Sequence, residues 1–200
     1  MTIKPSRPIE RNNAISAYED FLFALGYDVE EISAMCSGPS GKNTAMRAAD
    51  AMIEFLSKEQ EPFDFTVFPS EGVEGMVALA NVEFFSLCAH HALPYFGRAH
   101  VGYLPNGKVC GLSKIVRIVD HYSHRFSIQE ALTSKIATFM EEQLEPQGCG
   151  VVIEATHLCM SMRGVSRPGH MTVTSDMRGC FKDTATSAEF IALIARAKDK

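Results

Sequence analysis

Two short segments of this chain concentrate side chains that bind metals and move protons: Cys88-Ala89-His90-His91 and His157-Leu158-Cys159. Cys88 and His91 stand three apart, a usual ligand spacing where a chain turns. His157 and Cys159 stand two apart, so on a strand they point to one side. Two thiolates with one imidazole form a known catalytic zinc set that leaves the fourth tetrahedral position to water. Zinc lowers the pKa of that water to about 7. The two segments together offer Cys88, His90, His91, His157 and Cys159, which is three ligands with two histidines over for proton transfer. A free cysteine is more often a small buried hydrophobe. Cys36, Cys110, Cys149 and Cys180, with no histidine beside them, take that plainer reading. No CxxC pair occurs, which excludes a zinc ribbon and a redox dithiol.

Two other sets bear charge where a helix should begin. In Gly111-Leu112-Ser113-Lys114-Ile115-Val116-Arg117, free backbone N–H groups and the helix dipole favour an anion. Ser113, Lys114 and Arg117 therefore point to a phosphate, because basic groups at that end oppose the dipole; a solvated face is the alternative. Arg163, just past the second metal segment, is a further anion candidate. Gln129-Glu130 opens the next helix. Glu130 is either a partner of the dipole, in a capping arrangement with Ser127, or a carboxylate that accepts both N–H groups on the edge of a guanine.

These residues need elements to hold them. Ala14 to Leu25 carries a helical stripe of apolar residues ending at Gly26. Ser37 to Lys42 reads as a loop, and Thr44 as the cap of a second helix bearing Met46, Ala49, Met52, Ile53 and Leu56. Strands are predicted over Phe63 to Phe68, Met76 to Leu87, Ala99 to Leu104, Lys108 to Gly111, Val151 to Cys159 and Met171 to Ser175. Pro105-Asn106-Gly107 reads as a hairpin turn between two of them. Helices are predicted over Ser113 to Ser123, from a Ser127 cap to Leu144, and over Ala188 to Ala197. Without a strict βαβ rhythm the class is α+β. An N-terminal helical hairpin, 1–62, precedes a sheet-forming region, 63–200, and the two are read as one domain.

The 46% hydrophobic and 22% charged content is that of a globular chain, which excludes disorder. With 200 residues it can bury roughly 70% of its unfolded surface and needs no disulfide staples. A net charge of −5 argues against generic binding to nucleic acid or an anionic membrane. No apolar run approaches ~18 residues, and Met1 to Asn13 has no signal-peptide core. A cytoplasmic protein with reduced cysteines is expected.

Taken together, FFSLCAHHALPYFG, HVGYLPNGKVCGLSKIVRIV, IQEALT, VVIEATHLCMSMRGV, TVTSDMRGCF and EFIALI resemble the GTP cyclohydrolase I family, from about residue 44 to residue 195. The resemblance implies a tunnelling fold, an antiparallel sheet backed by helices. Sheets of five subunits join into a barrel, two rings stack as a homodecamer, and active sites lie between subunits. It implies Zn2+ on Cys88, His91 and Cys159, with His90 and His157 as the proton-transfer histidines. It implies Glu130 as the guanine anchor with Gln129 beside it, and Ser113, Lys114, Arg117 and Arg163 on the triphosphate and ribose. Arg47 would reach the phosphates from a neighbouring subunit. The implied reaction opens the guanine imidazole ring of GTP at C8, releases formate and yields 7,8-dihydroneopterin triphosphate for pterin or folate synthesis.

The chain departs from the family pattern at four places. Ala89 stands where the family has the Glu of CEHH, and Ala131 where it has an Arg. The Thr44-Ala45-Met46-Arg47 motif lacks its proline, and Asp50 takes a position where some members carry lysine. An altered preference among purine nucleotides is the expected consequence. Two further readings stay open on sequence: a paralogue acting on a related purine nucleotide, and a non-catalytic tunnelling-fold subunit with structural zinc. His90, His157 and Glu130 weigh against the latter, because a structural zinc requires none of them.

Overall fold

Three helices precede the first strand, one more than the expected hairpin: α1 (Arg11–Ala24), α2 (Val29–Ala34) and α3 (Thr44–Ser57). The computed structural model describes residues 7–35, 41–58 and 63–198; Cys36 and most of the expected 37–42 loop lie outside them. The chain divides into two compact units, a helical one over Lys4–Gln60 and a sheet-based one over Glu61–Lys200. The additional α2 is started by Asp28, whose carboxylate accepts the Glu30 and Glu31 N–H groups at 2.7 and 3.1 Å. Asn43, not Thr44, caps α3, accepting the Met46 N–H at 2.8 Å. The Thr44 N–H instead donates to Ser33 Oγ at 2.9 Å and ties α2 to α3. Ile15 packs against Ala45 and Ala49, small residues that let α1 and α3 approach closely. Asp50 is held by Arg11 at 2.6 Å and Lys42 at 2.8 Å, so its charge is matched within this unit.

The second unit runs β1 (Val67–Pro69), β2 (Val77–Cys88), β3 (Pro94–Leu104), β4 (Lys108–Cys110), α4 (Leu112–Ser123), β5 (Phe126–Ser127), α5 (Gln129–Leu144), β6 (Gly148–His157), α6 (Leu158–Ser161), β7 (Thr172–Gly179) and α7 (Thr184–Lys198). Its main sheet has the order β5-β2-β3-β6-β7. All pairs are antiparallel except β2 with β5. This is the expected α+β architecture of a largely antiparallel sheet backed by helices.

Strand alternation sets the layers. Tyr95, Ala99, Val101 and Tyr103 of β3 turn to one face, where they meet Ile115, Ile118 and Val119 of α4 and Leu132, Ile136, Met140 and Leu144 of α5. The opposite face is covered at one end by Phe190 and Ile194 of α7, packed with Val152 and Phe181. Gly102 and Gly150 are cross-strand partners beneath α7. A Cβ at Gly102 would lie 2.5 Å from the Phe190 ring, so the missing side chains are what admit the ring. Asn81, at φ 60°, sits in the bulge where β2 changes register, and its Nδ2 donates to the Ala197 carbonyl at 2.9 Å. Among the described residues no helix is long and apolar enough to cross a membrane.

Four local expectations are corrected. Pro105-Asn106-Gly107 turns the chain, with Gly107 at φ 75°, but does not form a hairpin. Both edges of β3 are taken by the longer β2 and β6, so β4 pairs with β1 in a separate two-stranded sheet. The strand expected from Phe63 is regular only over Val67–Pro69. Ser127 does not cap α5. It lies in β5, where its hydroxyl contacts Tyr95 and Ser86, and Ile128 takes the cap position without a side-chain bond. Finally β6 ends at His157, and Cys159 belongs to the helical turn α6.

Candidate metal centre

Cys88 is the last residue of β2, and the chain folds back on it. Its carbonyl accepts the N–H groups of His91 at 3.3 Å and Ala92 at 2.9 Å, and its own N–H donates to Leu93 O at 2.8 Å. Ala92 takes φ 55° to close this turn. The result brings His91 Nδ1 to 3.8 Å from Cys88 Sγ. The turn α6 swings Cys159 Sγ to 4.0 Å from Cys88 Sγ. The spacing argument placed His157 and Cys159 on one side of a strand. The break after His157 separates their directions instead, and only Cys159 joins the cluster.

The ligand atoms of Cys88, His91 and Cys159 all lie within 4.8 Å of one another. Tetrahedral zinc with Zn–S of about 2.3 Å and Zn–N of about 2.0–2.1 Å sets its sulfurs about 3.8 Å apart and each sulfur about 3.6 Å from the nitrogen. The separations of Cys88 Sγ from Cys159 Sγ, 4.0 Å, and from His91 Nδ1, 3.8 Å, are close to that set. Burial pushes the Cys159 thiol up, the neighbouring Cys88 adds to this, and Arg163 works in the other direction. Cys88 is 5% and Cys159 9% exposed, while His91 is on the surface, so the cluster opens to solvent on the histidine side.

The remaining histidines differ sharply. His90 is exposed, with Nδ1 3.8 Å from Cys88 Sγ and its ring 6.1 Å from that of His91. His157 is half-buried. Its ring stacks on Tyr95 with centroids 4.6 Å apart and planes 1° from parallel, and Nε2 lies 2.8 Å from Gln129 Oε1. Burial lowers its pKa from the ordinary histidine value, and the charge of Glu130 works the other way.

Glu130 is exposed at the start of α5, within electrostatic reach of His157 and Tyr95. Gln129, expected beside it on the guanine, is 1% exposed, and its amide is occupied by His157, Ile153, Thr172 and Thr174. Its side chain points into the protein, against β6 and β7. Ser113 and Arg117 are exposed on α4. Lys114 Nζ donates to the Asp64 carbonyl at 2.8 Å. Arg163 is exposed in the segment after α6. Arg47 lies on α3 of the helical unit. The Ala89 N–H donates to Ser127 O at 3.1 Å, which sets position 89 beside the strand that leads into α5.

Tyr95 is the site residue that the motif spacing missed. Nothing local in the sequence links it to His157; they meet because β3 and β6 pair them directly.

The sequence model of the family described as GTP cyclohydrolase I matches residues 17–195. The chain is 43% identical over 188 residues to GTP cyclohydrolase 1 of Hydrogenobaculum sp., covering 93% of this chain and 98% of that one. It is 50% identical over 155 residues to GTP cyclohydrolase 1 of Aquifex aeolicus, covering 76% and 83%. Against GTP cyclohydrolase 1 of Rattus norvegicus the identity is 44% over 186 residues, covering 91% and 74%. Among solved structures, the archaeosine synthase QueF-Like in its apo form covers 54% of this chain and 96% of its own at 18% identity, with a TM-score of 0.45.

Proposed function

The chain belongs to the GTP cyclohydrolase I family, and on that premise we propose that it opens the imidazole ring of GTP at C8 and forms 7,8-dihydroneopterin triphosphate with release of formate. The observation that carries the reading is the Cys88–His91–Cys159 triangle, with ligand atoms within 4.8 Å, flanked by His90, His157 and Glu130. A zinc ion held by those three residues would supply Lewis acidity toward water at neutral pH.

The protein's own groups divide the rest of the work. Glu130 accepts the two N–H groups on the guanine edge and so fixes where C8 lies. His90 delivers a proton to N7, which makes C8 electrophilic toward water. One water opens the imidazole ring to a formamide, and a second cleaves the formamide to formate and a free amine. His157 moves protons during opening and rearrangement of the ribose. The amine then condenses with the rearranged sugar carbonyl, losing one water and closing the six-membered ring. Several proton transfers at one metal call for two histidines outside the ligand set.

Ser113, Lys114, Arg117 and Arg163 bind the triphosphate and ribose, and Arg47 reaches the phosphates from a neighbouring subunit. Lys114 would exchange its exposed partner Asp64 for phosphate in doing so. A homodecamer with active sites between subunits follows from the family. It is supported here by an uncovered stretch of the main sheet, where Phe85, Phe96 and Met171 are exposed around a cavity of about 510 Å³. The five described cysteines are all free thiols, which suits a reducing cytoplasm.

Formate release from GTP by the zinc-loaded protein tests the reaction. One formate per GTP consumed, abolished in His90→Ala, is the expected result. Turnover of another purine nucleotide with GTP left intact would overturn the substrate.

A further inference from the structure

Hydrogen-bond direction around His157 can be assigned from backbone anchors inward. Gln129 Nε2 lies 3.0 Å from the Ile153 and Thr172 carbonyls and 3.1 Å from Thr174 Oγ1. Carbonyl oxygens only accept, so the nitrogen of the Gln129 amide must face them; the flipped amide would set oxygen against oxygen. Thr133 spends its single proton on the Gln129 carbonyl at 2.8 Å. Thr174 must then donate to Thr133 Oγ1 at 2.7 Å, so its oxygen is a third acceptor facing the two protons of Gln129 Nε2, which the three contacts share. Gln129 Oε1 is thereby an acceptor, and the atom 2.8 Å from it, His157 Nε2, carries the proton.

A second directed chain holds the ring beneath. Ser86 donates to the Arg125 carbonyl at 3.1 Å, so it accepts from Ser127. Ser127 in turn accepts from the Tyr95 hydroxyl at 2.6 Å. Tyr95 is wholly buried and cannot swing away, and its ring lies parallel to His157 at 4.6 Å.

We propose that Gln129 and Tyr95 are positioning residues that lock His157 as its Nε2–H tautomer with a fixed ring plane, leaving Nδ1 as the ring nitrogen that can take a proton. This rests on the reading of His157 as a proton-transfer group in the reaction above. Gln129 thus acts through His157 and not on the guanine. In a neutral imidazole only one nitrogen accepts, so the network determines which atom faces the chemistry as a base.

The test uses zinc-loaded protein labelled with 15N-histidine, with the His157 signals identified by their loss in His157→Asn. At about pH 8, above the ordinary histidine range, the protonated nitrogen of His157 should couple to both carbon-bound ring protons, which identifies Nε2. Gln129→Met should give a mixture of tautomers and lower kcat by about 10–100-fold, with KM for GTP within about threefold. Tyr95→Phe, which keeps the ring, should retain the tautomer. A wild-type His157 protonated at Nδ1 would overturn the proposal even if Gln129→Met does not fold. So would a Gln129→Met enzyme with wild-type kcat. If His157→Asn turns over normally, the proton-transfer role of His157 fails, and the positioning role with it, whereas the tautomer signal is read independently of turnover.

Discussion

At the scale of single residues, Cys88 builds the candidate metal centre with its carbonyl as well as its thiol. By accepting two N–H groups it forces the turn that returns His91 to the sulfur. Cys88→Ser should keep this turn and lose the metal, so zinc content by elemental analysis should fall well below one per chain while the far-ultraviolet circular dichroism is unchanged. His90→Ala should keep its zinc and lose about 100-fold or more in kcat, the ordinary worth of a general acid. Loss of zinc from His90→Ala, with zinc kept by His91→Ala, would reverse the ligand assignment. Glu130 is an independent case. Truncating one partner of a charged hydrogen-bonded pair costs about 2–5 kcal/mol. Glu130→Ala should therefore weaken GTP binding by tens- to thousands-fold in a calorimetric titration, with zinc content unaltered. Cys88 and His91 were legible from spacing alone. Gln129 was read as lying beside Glu130 on the guanine, and its inward direction was not legible. A residue at the start of a helix faces solvent or sheet according to the packing beneath it, and local sequence does not encode that.

The elements place these residues through contacts that span the sheet. Gly102 and Gly150 mark where α7 lies against β3 and β6, with Phe190 over both glycines and the Phe181 ring 5.3 Å from it. Gly102→Ala puts a methyl group 2.5 Å from the Phe190 ring. Overpacking of this kind typically costs about 1–3 kcal/mol. Urea unfolding should show that loss, and Phe190→Leu in the same chain should recover part of it. The Cys88–His91–Cys159 cluster lies by the ends of β2 and β6, away from this contact, so zinc content should not change. The helices α4 and α5 were readable because their buried residues recur at helical spacing. Partners were harder to read. Pro105-Asn106-Gly107 announces a turn but says nothing of which strand comes next to which, and the longer β2 and β6 outcompete β4 for the edges of β3. The end of β6 was misplaced for a related reason. The apolar run continues through Leu158 and Cys159, and periodicity alone does not separate a strand from a helical turn that follows it.

For the molecule as a whole, a clamp between the edge strand β7 and α5 should make part of the stability depend on pH. Arg178 binds Asp176 at 3.0 Å and Glu141 at 2.8 Å. Burial alone would raise the Asp176 pKa, but the Arg178 hydrogen bond and charge outweigh it and hold the carboxyl below its ordinary 3.8. The stabilisation is then complete above that value and is lost as pH falls through the lower folded value. Arg178→Met should destabilise the protein at neutral pH, and its deficit against wild type should shrink as urea unfolding is repeated from about pH 8 down to about pH 3. A deficit independent of pH would assign Arg178 to packing. Beyond this clamp, the central claim is that a site assembled from the ends of β2 and β6 and the start of α5 opens guanine at C8. GTP carrying 13C at C8, incubated with the zinc-loaded protein, tests this directly. The account predicts that the label leaves as 13C-formate and that the remaining product is unlabelled 7,8-dihydroneopterin triphosphate. Label retained in an intact purine, or in any product other than formate, would contradict it.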